Sequence, residues 1–339
     1  MPRIGQNPTR WLTRLEPAAS VTVTMLVHIP EMSGYWEESL EVLELSLHSL
    51  RKNTPEPFEL ILLDNASCAR VRSFLVERTE SGAIDRLILS RRNLGKVGGW
   101  NVLFACAESE IVSYADSDVL FLPGWLEASV RVLEAFPQAA MVTAQPLPGD
   151  LSRHCGATLA GARIDPETPF EEGAGFIPEE YLDSHRLGLG ETPEEYSERL
   201  ANRREVRLTR CGAEAFVSAS HFQFTSRKKI LSSLLPLPTT IPLGDDPVFD
   251  TQVDDGGHWR LCTTEYLVHH LGNRLPNLWR ELPWANLDGL DDRVSLDHRE
   301  RRPVSAGRSR RLANRVLIRR LLKWANRHTY EWLYGGSGD

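Results

Sequence analysis

Ile111-Val112-Ser113-Tyr114-Ala115-Asp116-Ser117-Asp118, followed by Val119-Leu120-Phe121-Leu122-Pro123-Gly124-Trp125, is the stretch on which the fold turns. An apolar run of this kind reads as a buried strand, and side chains two apart on a strand point to the same side. Asp116 and Asp118 can therefore leave the strand end toward one shared cation. Hard divalent ions take oxygen ligands, and Mg²⁺ in particular is held by one or two carboxylates plus the phosphates of a substrate. The triplet alone is a common pattern, so its surroundings decide its meaning.

Working outward, the flanking chain alternates between strand-like and helix-like segments, the pattern of parallel β-α units. Val21 to Ile29 is β-rich; Glu37 to Lys52 places Leu40, Leu43, Leu47 and Leu50 at helical spacing before Pro55 and Pro57. Phe58 to Leu63 predicts a second strand, ended by Asp64-Asn65-Ala66-Ser67, with a helix from about Arg70 to Glu77. Ile84 to Leu89 predicts a third. Asn93-Leu94-Gly95-Lys96-Val97-Gly98-Gly99-Trp100-Asn101 then leads into a helix through Ala107, and Pro123 opens another before a short strand at Met141 to Ala144. Each polar cluster lies at the C-terminal end of a strand, where open parallel sheets bind their ligands, so Asp64, Asn93 and Asp116 can line one crevice. No Gly-x-Gly-x-x-Gly follows the first strand, where His28-Ile29-Pro30-Glu31 stands instead, and no P-loop motif occurs; dinucleotide and P-loop enzymes are disfavoured.

From Pro146 to about Arg210 the periodicity fades into a segment rich in Gly, Pro and Glu, with one helix expected at Pro193 to Arg204. Such an insertion reads as a lid or an acceptor-side wall. Regular structure returns with Ala215 to Phe224 and a helix at Ser226 to Leu234. Leu243-Gly244-Asp245-Asp246-Pro247 follows, then a last strand from Trp259 to His270, ending His269-His270-Leu271-Gly272-Asn273.

With 339 residues, 41% of them hydrophobic, the chain can bury a full core. The first 20 residues lack the apolar centre of a signal peptide, and no run approaches a membrane span. Five scattered cysteines form no zinc-type pairs and point to a reducing, cytoplasmic home. Net charge is -7, but Arg299 to His328 holds 11 Lys and Arg against one acid, which leaves 28 basic and 45 acidic residues elsewhere, or -17. A body of that charge repels phosphate over most of its surface, so nucleic acid is not the expected partner. Arg311, Arg315, Arg319, Lys323 and Arg327 recur every four residues beside the stripe Ala313, Leu317, Leu321 and Trp324. That basic amphipathic helix, within residues 305–334, suits either peripheral contact with an anionic membrane or docking with its basic face solvated.

The order of these motifs resembles glycosyltransferase family 2, inverting enzymes of GT-A fold that use nucleotide-activated sugars. The resemblance covers roughly Val21 to Asn273 and rests on five ordered features: Asp64-Asn65-Ala66-Ser67, Asn93-x-Gly95 through Asn101, Asp116-x-Asp118, Gly244-Asp245-Asp246, and His270-x-Gly272-Asn273. It implies an α/β, mainly parallel, Rossmann-like sheet with helices on both faces, an acceptor-side insertion and a C-terminal helical extension. Residues 1–20 would be an N-terminal extension, 21–145 the nucleotide-sugar half, 146–286 the acceptor-binding and catalytic half with its lid-like 146–210, and 287–339 the basic extension.

By the same resemblance, Asp64 with Asn65 contacts the nucleobase, the Pro30-Glu31 loop walls that pocket, and Asn93, Gly95 and Asn101 close over ribose and base. Asp118 binds the Mn²⁺ or Mg²⁺ cofactor directly. Asp116 contacts the ribose or reaches the metal through water, and Ser117 lies between them. His270 is the later metal or diphosphate contact, with His269 as the fallback. Asp246 is the general base, a role shared with less weight by Asp245, since the pair is Asp-Asp where Glu-Asp is usual. The activity implied is transfer from a nucleoside-diphosphate sugar, UDP above other carriers, to a glycan, lipid-linked, protein or small-molecule acceptor. Two other functions compete. A sugar-1-phosphate nucleotidyltransferase needs a Gly-rich, Arg-containing loop that Pro30-Glu31-Met32 does not supply, and an inactive nucleotide-sugar-binding scaffold would be indifferent to Asp246→Asn.

Overall fold

Val23, Met25 and Val27 alternate with Thr22 and Thr24 along strand β1 (Val21–Val27), so the apolar set faces one layer of helices. Strand β2 (Phe58–Asn65) is buried on both faces: Leu60 and Leu62 join the β1 side, Ile61 and Leu63 the other. Fully covered strands of this kind belong to α/β sheets. Strands β3 (Arg86–Ser90), β4 (Ile111–Asp116), β5 (Val119–Phe121), β6 (Ala139–Thr143), β7 (Phe170–Gly173), β8 (Glu205–Arg210), β9 (Ala213–Val217), β10 (Gln223–Arg227), β11 (Trp259–Cys262) and β12 (Val268–His270) follow. This computed structural model describes residues 7, 9, 18–55, 57–149, 151, 153–201, 203–239 and 246–287, with side chains from 248 in the last segment. The chain divides into two compact units, Met1–Leu287 and Asp288–Asp339. The second unit, including the basic helix expected within 305–334, lies outside the described residues.

Ten strands form one mixed sheet in the order β3-β2-β1-β4-β10-β6-β11-β9-β8-β7. Its first half is parallel, with β1 hydrogen-bonded to β2 and β4, and β2 to β3. Strand β10 enters antiparallel between β4 and β6, after which β6 and β11 are again parallel. This is an α/β architecture, as the alternation of strand and helix predicts. Helix Ser39–Asn53 buries Leu40, Leu43, Leu47 and Leu50, as their spacing predicts, and helices Ala69–Glu80 and Gly95–Cys106 cross between the parallel strands. Trp100, Phe104, Tyr114, Phe224 and Phe249 pack ring to ring behind β4 and β10, with centroids 5.3–6.4 Å apart. Each fully buried ring of this size adds roughly 1.5–3 kcal/mol.

Two departures from the sequence reading bear on the site. The insertion is not irregular: it contains helices Gly156–Ile164, Glu179–Leu189 and Pro193–Leu200, and strands β7 and β8, which extend the sheet edge. Only the third helix announces itself, through a capping box in which Thr192 and Glu195 exchange side-chain and backbone bonds around Pro193. Helix Glu179–Leu189 breaks its own pattern with Gly188, because a Cβ there would lie 2.8 Å from the His270 carbonyl oxygen. The second departure is at the end: Trp259 to His270 is not one strand. The turn at Thr263, whose hydroxyl donates to the Glu265 carbonyl at 2.7 Å, separates β11 from β12. Strand β12 then pairs antiparallel with β5 in a separate two-stranded sheet, with His270 opposite Val119.

Candidate functional site

The strand ends of β2 and β1 build a cradle. Asn65 holds the turn after β3: its amide donates to Asn93 Oδ1 at 2.9 Å and to the Gly95 carbonyl at 3.3 Å, and its Oδ1 accepts from the Leu94 backbone at 2.7 Å. Gly95 adopts φ 70°, a conformation that favours glycine. His28 closes the ring, with Nδ1 2.7 Å from the Asn65 carbonyl and Nε2 3.3 Å from the Asn93 amide. A neutral imidazole protonated on Nδ1 satisfies both. Asp64 is fully buried; Oδ1 accepts from the Ser67 backbone at 2.9 Å, and Oδ2 has no donor among the described residues. Above it, Ile29 is tied to Ser67 Oγ at 3.0 Å, and Pro30 and Glu31 stand exposed. Asn101 does not join the cradle. Its amide is spent on both backbone groups of Leu237, at 2.9 and 2.8 Å, so it anchors a distant loop to helix Gly95–Cys106.

The acidic triplet lies beside the cradle. Asp116, the last residue of β4, accepts from Tyr114 Oη at 2.6 Å and from Lys96 Nζ at 2.9 Å. Ser117 is partly exposed in the turn that follows. The β5–β12 pairing brings His270 back to the triplet, and Leu271 N donates to the Asp118 carbonyl at 2.7 Å. His270 Nε2 then lies 3.3 Å from Asp118 Oδ2. Burial opposes charge on both groups, yet their attraction prevails: Asp118 is held below the usual carboxylate range and His270 is raised to about 9. The strand alternation turns His269 the other way, fully buried between Tyr266 Oη at 2.9 Å and Glu281 at 3.1 Å, so the fallback ligand is occupied elsewhere. Asp118, His270 and Asp116 supply one imidazole and two carboxylates, a set that fits a divalent cation completed by substrate oxygens. Among the described residues, no group of three or more His, Cys, Asp or Glu side chains is placed to hold a metal ion by itself.

A cavity of about 210 Å³ joins this triplet to the insertion, and Lys96, Asp116, Gln145, His185, His221 and His270 line it. Thr143 holds its far wall, since its hydroxyl accepts from the Ser220 backbone at 2.9 Å and donates to the Gln223 carbonyl at 3.0 Å. Behind that wall Arg260 and Asp250 form a buried pair at 2.9 Å, with His221 Nδ1 3.9 Å from the same carboxylate. Lys96, His185 and His221 carry no motif signal in the sequence; only the meeting of separate elements reveals them. Asp245 lies outside the described residues. Asp246 opens helix Asp246–Asp255, and its side chain lies outside them also.

His185 gives a testable pH dependence. It hydrogen-bonds Tyr196 Oη at 2.9 Å, and burial, reinforced by nearby Arg199, His270 and His269, lowers its pKa to about 3. The unfolded chain binds this proton below about pH 6.5, whereas the native protein refuses it until about pH 3, so stability is lost as pH falls through that window. Between pH 7.5 and pH 5 the loss from this residue is about 2 kcal/mol. Urea midpoints at the two pH values should separate less in His185→Gln than in wild type; equal separations would contradict the assignment.

Residues 35–168 match the model of glycosyl transferase family 2. Among curated proteins none matches the chain. Among solved structures, the mannosyltransferase PcManGT from Pyrobaculum calidifontis, in complex with GDP-Man and Mn²⁺, matches with 16% sequence identity and a TM-score of 0.43. The match covers 76% of this chain and 60% of that protein, so the chain spans less than two thirds of its length. Among the described residues, no helix is long and apolar enough to cross a membrane. Residues 35–168, the part of the chain similar to glycosyl transferase family 2, include Asp64, the Asn93-x-Gly95 turn and Asp116-x-Asp118.

Proposed function

We propose that the protein transfers a sugar from a nucleoside-diphosphate sugar, with UDP as carrier, to an acceptor nucleophile by a single displacement that inverts the anomeric centre. One observation carries the reading: the paired Asp116 and Lys96 line a single cavity together with His270, the partner of Asp118, and with His185, Gly188 and Leu189 of the insertion. Asp64 Oδ2 is a buried acceptor lacking a donor, the group that a base imide N–H would satisfy. Asn93 and Gly95 shape the cradle for the ribose and base, beneath the Pro30-Glu31 loop. A divalent cation, Mn²⁺ or Mg²⁺, held by Asp118 and His270 with Asp116 alongside, would neutralise negative charge growing on the diphosphate leaving group. Asp246 takes the proton from the attacking acceptor group on the opposite face, with Asp245 as the second candidate. The acceptor enters past helix Glu179–Leu189, whose His185, Gly188 and Leu189 wall the cavity.

A panel of UDP-, GDP- and dTDP-sugars, each with and without Mn²⁺, tests this by melting temperature, because a ligand that binds only the native state raises it. UDP-sugars with Mn²⁺ are expected to give the largest rise. A flat panel would overturn nucleotide-sugar binding, and a rise confined to GDP- or dTDP-sugars would replace UDP.

A further inference from the structure

Lys96 lies within the Asn93-x-Gly95 through Asn101 stretch without being one of its named positions, yet it holds the centre of the site. It sits in the first turn of helix Gly95–Cys106, and its ammonium lies 5.5 and 5.9 Å from the ring centres of Trp100 and Tyr114. That ammonium ends 2.9 Å from Asp116 Oδ2, and it also acts on the Asp118 carboxylate. Asp116 is thus already neutralised and, through Tyr114 Oη at 2.6 Å, doubly hydrogen-bonded. A bare divalent ion seeking both carboxylates must displace this charge. A nucleotide diphosphate in the same cavity removes the conflict, because it offers the ammonium another anion.

Resting on the nucleoside-diphosphate reading above, we propose that Lys96 is an internal counter-cation. It keeps the affinity for metal alone low, and it shifts from Asp116 to a phosphate oxygen when nucleotide enters, so that nucleotide and metal bind cooperatively. Such coupling is reciprocal: UDP strengthens Mn²⁺ binding by the factor by which Mn²⁺ strengthens UDP binding.

Lys96→Met separates these effects by sign. Free Mn²⁺, counted by electron paramagnetic resonance, should bind the variant roughly fivefold or more tightly than wild type, the order of one partly exposed charge pair. UDP binding in EDTA, followed by calorimetry, should weaken by a similar factor, and the gain in Mn²⁺ affinity on adding UDP should shrink. Lys96→Arg should restore wild-type behaviour, and Lys96→Gln replaces Lys96→Met if the latter does not fold. Wild-type protein that binds UDP with Mn²⁺, beside a folded neutral variant with unchanged Mn²⁺ and UDP affinities, would overturn the role of Lys96 alone. Wild-type protein that binds no nucleoside diphosphate under any of these conditions would overturn the functional reading beneath it.

Discussion

Asp118→Asn is expected to lower turnover roughly 10²–10³-fold, the scale of removing one group that stabilises transition-state charge. The substitution keeps the side chain's shape but removes the charge that faces His270 at 3.3 Å. A neutral amide is a poor ligand for a hard cation, so the loss should accompany weaker Mn²⁺-dependent UDP binding. Asp246→Asn should divide the two properties differently: turnover falls by roughly 10²–10⁴, the contribution of a general base, while UDP with Mn²⁺ binds as in wild type. UDP release from the donor sugar to water measures both variants before any acceptor is known. Wild-type rates in Asp118→Asn would remove this carboxylate from the chemistry. Retained turnover in Asp246→Asn with loss in Asp245→Asn would move the base by one residue.

Strand ends were legible in the sequence because apolar β-rich runs stop abruptly at polar residues. Asp64-Asn65, Asn93 and Asp116-Ser117-Asp118 fall where β2, β3 and β4 end or just beyond, and parallel pairing brings these ends to one edge. The insertion was not legible, for a physical reason. Helix Glu179–Leu189 buries only Leu182 and Ser184 fully, so it shows no apolar stripe, and Gly188 answers to the His270 carbonyl rather than to helix propensity. Asn101 illustrates a different failure. Its place in the turn motif suits a ligand contact, but a side-chain amide serves a backbone segment 136 residues away equally well, and local sequence does not distinguish the two. Lys96 was silent because a lysine in the first turn of a helix is ordinary until its partner across the cavity is known.

Arg260→Met should destabilise the protein by about 3–5 kcal/mol, the cost of leaving a buried carboxylate without its partner. Arg260 is 5% exposed, with Asp250 at 2.9 Å, the Ala219 carbonyl at 2.8 Å and the His154 carbonyl at 3.1 Å around its guanidinium. Arg260 reaches Asp250 at Oδ2, while Oδ1 has no donor among the described residues. Removing Arg260 therefore takes the guanidinium away from a buried carboxylate and leaves it His221 Nδ1, at 3.9 Å, as a neighbouring ionisable group. Arg260→Met combined with Asp250→Asn removes both charges and should recover more than half of the loss, because the penalty belongs to the orphaned ion and not to the missing contact. Urea denaturation of the two single variants and the double variant tests this as a cycle. A double variant as unstable as Arg260→Met would place the cost in packing instead. The site is expected to register the change as well: Ala219 precedes Ser220 and His221 on the cavity wall, and releasing its carbonyl frees the segment that faces Asp116. The double variant, though refolded, should therefore bind UDP with Mn²⁺ normally and still turn over more slowly than wild type.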